Sequence, residues 1–125
     1  MPTLSTLEAF VATVEANTHV EAIERFYAED ASMQENNHPP RKGRDKLVAN
    51  ERAALARARA FRSRCIRPFL VNGDHVMIRW VFEFDYPDGT CMTLEEVAWQ
   101  HWEGEKIVAE KFFYDPVQLQ RQPQC

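Results

Sequence analysis

The sequence has little of what marks several large protein classes. Among its 125 residues there are four glycines and three cysteines, and no GxGxxG, P-loop, nucleophile-elbow or HExxH pattern. Nucleotide cofactors and hydrolytic zinc therefore have no support. Cys65, Cys91 and Cys125 are odd in number and far apart, without CxxC or Cys/His ligand spacing. That argues against a disulfide framework and against a metal site. No stretch approaches the roughly 20 apolar residues that span a bilayer, and the opening MPTLSTLEAF lacks the basic end and apolar run of a secretory signal. Nor is there an excess of basic charge. The formal net charge is -4, and the arginines at 57, 59, 62, 64 and 67 are offset by acidic residues elsewhere. A nucleic-acid binder would show an uncompensated basic stripe. The expectation is a protein of the reducing cytoplasm with no cofactor, no metal, no nucleic-acid partner and no membrane partner.

What is present suits one compact domain over residues 1–125. Apolar residues make up 45%, and eight Phe, three Tyr and three Trp supply bulky core material. Leu4, Leu7, Phe10, Val11 and Val14 recur at helical spacing, predicting a helix over Leu4–Ala16 that opens on a Ser5/Glu8 capping box or on Thr3. Thr18 and Glu21 match the same box, and Val20, Ile23, Phe26 and Tyr27 form the stripe of a second helix. The period then changes to two. Ala31, Met33 and Glu35 alternate with polar residues as a short strand, and His38–Gly43, with two prolines in series, reads as a loop. A third helix is expected over about 44–60.

From Phe61 the pattern is all strand: 61–71, with Pro68 at a bulge or an edge, then 75–86, 90–102 and 106–114, separated by Asn72-Gly73, Pro87-Asp88-Gly89 and Glu103-Gly104-Glu105 turns. The Gln-rich tail from Pro116 is expected to be loose. Helices first and a meander of long strands after is an α+β order. Three N-terminal helices packed on a curved antiparallel or mixed sheet make a cone, whose wide end is a natural place for a small apolar ligand.

Two segments carry a family resemblance. Phe26-Tyr27-Ala28-Glu29-Asp30-Ala31, followed by Pro40 and Gly43-Arg44, resembles the "fYA-D-A" turn, Pro-containing loop and third-helix start of nuclear-transport-factor-2-like proteins. WQHWEGEKIVAEKFFYDP resembles their closing hairpin. The likeness is to the SnoaL-like polyketide cyclases and ketosteroid isomerases, and it covers almost the whole chain. It implies a cone with an internal pocket and a homodimer formed through the outer face of the long strands, where Val97, Trp99 and His101 fall. It also locates the isomerase machinery: the carboxylate base at Glu35, the tyrosine donor at Phe10 and the aspartic donor near Ala98. Both donors are thus absent. The acidic residue of the cyclases falls near Phe113, with Glu110 close by.

Candidate chemistry follows from acidic residues on inward faces. Glu35 aligns with Ala31 and Met33. A carboxylate among core residues is costly unless paired or used, and burial would make it a general base. Glu95 and Glu96 point to opposite faces, and the family register turns Glu96 inward. Glu110 shares a face with Val108, Phe112 and Tyr114. Glu35, Glu96 and Glu110 are therefore the candidate catalytic cluster, since neighbouring carboxyls separate into an acid and a base. Phe10, Tyr27, Met33, His38, Trp80, Phe82, Phe84, Ala98, Phe112 and Tyr114 are the expected ligand wall. The reaction implied is a cofactor-free isomerisation, cyclisation or hydration. A binding module without chemistry is the alternative, as is a homodimeric interaction domain.

Overall fold

The computed structural model describes residues 1–123. Helix α1 (Leu4–Glu15) and helix α2 (His19–Phe26) run directly into strand β1 (Tyr27–Glu35). A two-residue strand β2 (Arg41–Lys42) and helix α3 (Arg44–Ala56) follow. Four long strands then run in meander: β3 (Ala60–Asn72), β4 (His75–Asp85), β5 (Cys91–Glu103) and β6 (Lys106–Phe113). They form one open six-stranded sheet in the order β2-β1-β6-β5-β4-β3, antiparallel except for the parallel pair β1–β6. The fold is an α+β cone with its three helices at the N-terminal side of the chain, packed against the sheet.

Local chemistry explains most element ends, with some corrections to the sequence reading. Thr3 caps α1, its Oγ1 accepting from Thr6 N at 3.1 Å. Glu8, the expected partner in a Ser5 box, instead pairs with Arg67 on β3 at 2.8 Å. Thr18 makes no side-chain cap to α2, because its hydroxyl donates to the Thr13 carbonyl at 2.6 Å. Asn17 takes the left-handed φ of 65° that joins two helices with almost no linker, a conformation Asn tolerates better than most residues. The buried stripe of α2 is His19, Ala22, Ile23 and Phe26, one residue out of phase with the expected start at Val20. Helix α3 stops at Ala56, short of Ala60, and β1 is extended back to Tyr27.

Pro68 lies on the edge strand β3, within the register break between Ile66 and Leu70, so its missing N–H costs no ladder bond. On β6 a bulge opposite His101/Trp102 resets the alternation, so that Ile107, Glu110 and Phe112 turn inward and Val108 is absorbed in the irregularity. The tail is not loose where it is described. It forms a 3-10 turn (Pro116–Leu119), Gln118 bonds the backbone of Glu95, and Gln122 bridges Cys91 through two backbone hydrogen bonds. Cys65 is a buried free thiol and Cys91 is disulfide-bonded, a bridge that the odd count and wide spacing of the cysteines did not suggest. Cys125 lies outside the described residues. No helix among the described residues is long and apolar enough to cross a membrane.

The core is a continuous aromatic and aliphatic cluster. It joins Leu7, Phe10 and Val11 of α1 to Ile23 and Phe26 of α2 and to Ile78, Trp80, Ala98, Trp102 and Ile107 of the sheet. Phe10 is its hub, with edge or tilted contacts to Phe26, Tyr27, Trp80 and Trp102 at 5.5–6.4 Å.

Candidate functional site

Between the helices and the inner sheet face lies a cavity of about 230 Å³. Its wall is aromatic, built from Phe10, Tyr27, Trp80, Phe82, Phe84 and Phe112, together with Met33. Strand register explains the arrangement. On β4 and β5 the inward positions Trp80/Glu96, Phe82/Leu94 and Phe84/Met92 are direct partners, and on β5 and β6 Ala98/Phe112 and Gln100/Glu110 are. Four carboxyl groups also line it: Glu35, Glu51, Glu96 and Glu110.

Glu110 is the most enclosed of them, 3% exposed. Its Oε1 accepts a short hydrogen bond from the Tyr27 hydroxyl, and its Oε2 accepts from Gln100 Nε2 at 2.6 Å. The orientation of the Gln100 amide is fixed by chemistry. Trp102 Nε1, which can only donate, reaches Gln100 Oε1 at 2.9 Å, so the NH2 must face Glu110. Burial pushes the Glu110 carboxyl up to about 7, although the two donors pull the other way. The Tyr27 hydroxyl is driven well above its ordinary value, first by burial and then by the charge and hydrogen bond of Glu110. It stays protonated and stays a donor.

Glu96 is 8% exposed and opens onto the cavity, with no hydrogen-bond or ion-pair partner among the described residues. Burial, then the charges of Glu110, Glu35 and Glu51, raise it to about 8. Glu35 sits differently. It is at the cavity mouth with its side chain 40% exposed, paired with Arg41 at 3.2 Å and accepting from the Tyr114 hydroxyl at 3.3 Å. The burial on which its role as a general base was argued is therefore not there. The strand reaches the cone's rim at this residue, and the β2 side chain Arg41 closes over it. Tyr114 touches Glu35 without lining the cavity, and its own hydroxyl is raised to about 12 by burial and by Glu35. His38 is exposed in the loop and Ala98 is fully buried in the core, so neither lines the cavity.

The sequence reading passed over three groups that matter here. His19 and Glu51 line the cavity. His19 Nδ1 lies 3.2 Å from Glu51 Oε1, and its Nε2 lies 2.6 Å from Ser63 Oγ, which in turn donates to Asn17 Oδ1 at 2.9 Å. The helical spacing His19, Ala22, Ile23, Phe26 held the signal for His19. Gln100 was legible as well, since it alternates with the inward Ala98 and Trp102. Nothing local marks Glu51, on a helix whose apolar stripe is weak. Among the described residues no group of three or more His, Cys, Asp or Glu side chains is arranged to hold a metal ion.

This combination of helices, curved sheet and acidic aromatic hollow has a family. The model of the SnoaL-like domain matches residues 7–110, and the chain belongs to that family. Solved structures share the fold over most of their length. An NTF2-like protein of unknown function from Burkholderia pseudomallei K96243 is 14% identical, covering 93% of this chain and 92% of that one, with a TM-score of 0.78. A putative SnoaL-like polyketide cyclase from Mesorhizobium loti is 20% identical, covering 88% and 97%, at 0.74. An LEH-like epoxide hydrolase from M. tuberculosis is 12% identical, covering 92% and 84%, also at 0.74. No curated protein matches the sequence.

Proposed function

We propose that the cavity binds a small, largely apolar molecule and moves a proton on it without a cofactor, with Glu110 as the general base. The observation that carries this reading is the pair Glu96 and Glu110: two buried carboxyls in one aromatic cavity, with no cationic side chain among the described residues paired to either. Tyr27 and Gln100 leave Glu110 only acceptor roles, which suits a carboxylate that takes a proton. Its proton affinity lies near neutrality, where a base is both available and strong enough to act. Glu96 is the second carboxyl facing the ligand. Glu35, with Arg41 and Tyr114, becomes a mouth residue in this reading. Isomerisation and cyclisation can begin with removal of a proton from the substrate, and hydration with removal of one from water by the same base; solved structures of this fold are named as a putative polyketide cyclase and an epoxide hydrolase. The volume of about 230 Å³ favours ligands below drug size, whose pockets run to roughly 300–1,000 Å³. The partner chain in this reading is a second copy, docked on the outer face of β5 and β6.

The test begins with a thermal-shift screen of small apolar compounds. Each binder is then incubated in deuterium oxide and followed by NMR. Exchange of a carbon-bound proton is expected, with Glu110→Gln slowing it about 100-fold or more and Glu35→Gln changing it only a few-fold. Ligands that bind equally well to both variants and never exchange would make the protein a binding module.

A further inference from the structure

We infer that the ligand of this cavity is an organic cation, an ammonium group on a small apolar body, seated between the Trp80 ring and the Glu96 carboxylate. The inference deepens the proposed function and rests on the cavity being a ligand site. Its first ground is a count of charge. Of the four carboxyls in the wall, Glu35 is matched by Arg41 at 3.2 Å, and Glu51, partly open to solvent, has the His19 ring as a hydrogen-bond partner at 3.2 Å. Tyr27 and Gln100 give Glu110 hydrogen bonds but no positive charge. Glu96 receives neither charge nor hydrogen bond from the described residues and opens directly onto the cavity. A buried carboxyl has to be neutralised, either by a proton or by a bound cation.

The second ground is the rings. Glu96 and Trp80 are direct cross-strand partners on the inner face. Phe82 stacks beside Trp80 at 5.6 Å, and Phe10 meets it edge-on at 6.4 Å. Ring faces carry the negative part of the aromatic quadrupole, and Trp80 lines the cavity beside Glu96, so a cation resting on the ring face would meet ring and carboxylate together. A carbonyl or hydroxyl oxygen brings more of the same sign and is welcome only while Glu96 stays protonated. An ammonium group satisfies wall and carboxylate at once, and trades places with the proton.

This exchange gives a sign that separates the two ligand types. The groups facing Glu96 are Glu110 on β6, Glu35 on β1, Glu51 on α3 and the Tyr27 hydroxyl; nearby, the Arg41 guanidinium is engaged by Glu35 and the His19 ring is hydrogen-bonded to Glu51. A cation requires ionised Glu96, so its affinity rises with pH through about 8. An oxygen acceptor requires the protonated form, so its affinity falls.

The probes are choline and its uncharged carbon isostere 3,3-dimethylbutan-1-ol, titrated into the whole chain by calorimetry at pH 6 and pH 9. Choline is expected to bind at least tenfold more tightly at pH 9 than at pH 6, and at least tenfold more tightly than the isostere at pH 9. Glu96→Gln is expected to weaken choline binding at least tenfold at pH 9, leaving only the smaller pH slope that Glu110 contributes, and to leave the isostere unchanged at pH 6, where Glu96 is protonated. Because the Gln variant keeps shape and lacks only the charge, its thermal melt serves as the check that it folds. An isostere that matches choline at pH 9, or choline binding indifferent to pH, overturns the inference. If neither probe binds but neutral compounds from the thermal-shift screen do, this inference falls and the proposed function stands. If nothing in that screen binds, both fall.

Discussion

The two faces of β5 show how one strand divides the labour of the protein. Inward, Glu96, Ala98, Gln100 and Trp102 are all buried, and two of the four are polar. Outward, Glu95 pairs with Arg79 in water and Trp99 stands 45% exposed. Alternation assigns residues to faces, but it does not say why polar residues occupy the dry face. Stability alone would put aliphatic side chains there. The polar groups that are there belong to one connected set, Trp102 to Gln100 to Glu110 to Tyr27, with Glu96 beside it and unattached. The inner face carries buried polar groups that the proposed function would use, and the outer face has no such conflict.

The sharpest way to break that contrast is Glu96→Gln. The carboxyl is raised from 4.5 in an open chain to about 8 in the fold. Between those values the folded state holds a proton that the unfolded state has lost, so stability declines as pH rises across the window and is level above it. At pH 4.5 the variant and the parent should unfold alike. At pH 8.5 the variant should be the more stable, by up to about 5 kcal/mol, the full linkage of a shift of roughly 3.5 units. Urea unfolding at the two pH values measures it, and a difference that does not change with pH would show that Glu96 is not held out of water. Glu110 adds a slope of the same sign up to about 7.

A smaller effect is expected from Trp102→Phe. The indole N–H is what orients Gln100, and its loss leaves a buried amide oxygen without its donor. The cost should be about 1–3 kcal/mol in unfolding free energy. The more telling readout is the pH profile of proton exchange on a bound ligand. With Gln100 free to flip, Glu110 loses a donor to its charged form, and the limb near pH 7 should move upward. A profile that stays in place while stability falls would make Trp102 a packing residue only.

Much of this contrast could be read from the chain before its coordinates. Period-two alternation identified the long strands and turned Glu96 inward once a register was supplied. Glu110 was reached through Phe112, even though a bulge at Val108 reset the phase nearer the strand start. What failed was depth. Alternation gives a residue's face but not its distance from the rim, and Glu35 has the right face at the wrong depth. Long-range pairs were equally invisible. Nothing near Arg41 in sequence shows that a two-residue strand will lay it over Glu35, and nothing near Glu51 announces His19, 32 positions away. The tail looked loose because its anchors, the backbone of Glu95 and of Cys91, are made elsewhere in the chain.

The least costly change lies on the outer face and tests assembly rather than folding. Trp99 and Phe113 stand 45% and 47% exposed, with Val97 half-buried between strands and Lys111 over the Phe113 ring at 4.9 Å. Large exposed aromatics are what a protein–protein interface gathers at its centre. A second copy of the chain is the partner proposed for this face. Trp99→Ser should leave the unfolding free energy of the monomer within about 0.5 kcal/mol, as surface substitutions do. Light scattering should find the parent chain at twice its monomer mass and the variant at the monomer mass. A parent that is monomeric at micromolar concentration would return Trp99 to an ordinary exposed side chain. The inner face would be unaffected, since Glu96 and Trp99 share a strand but not a surface.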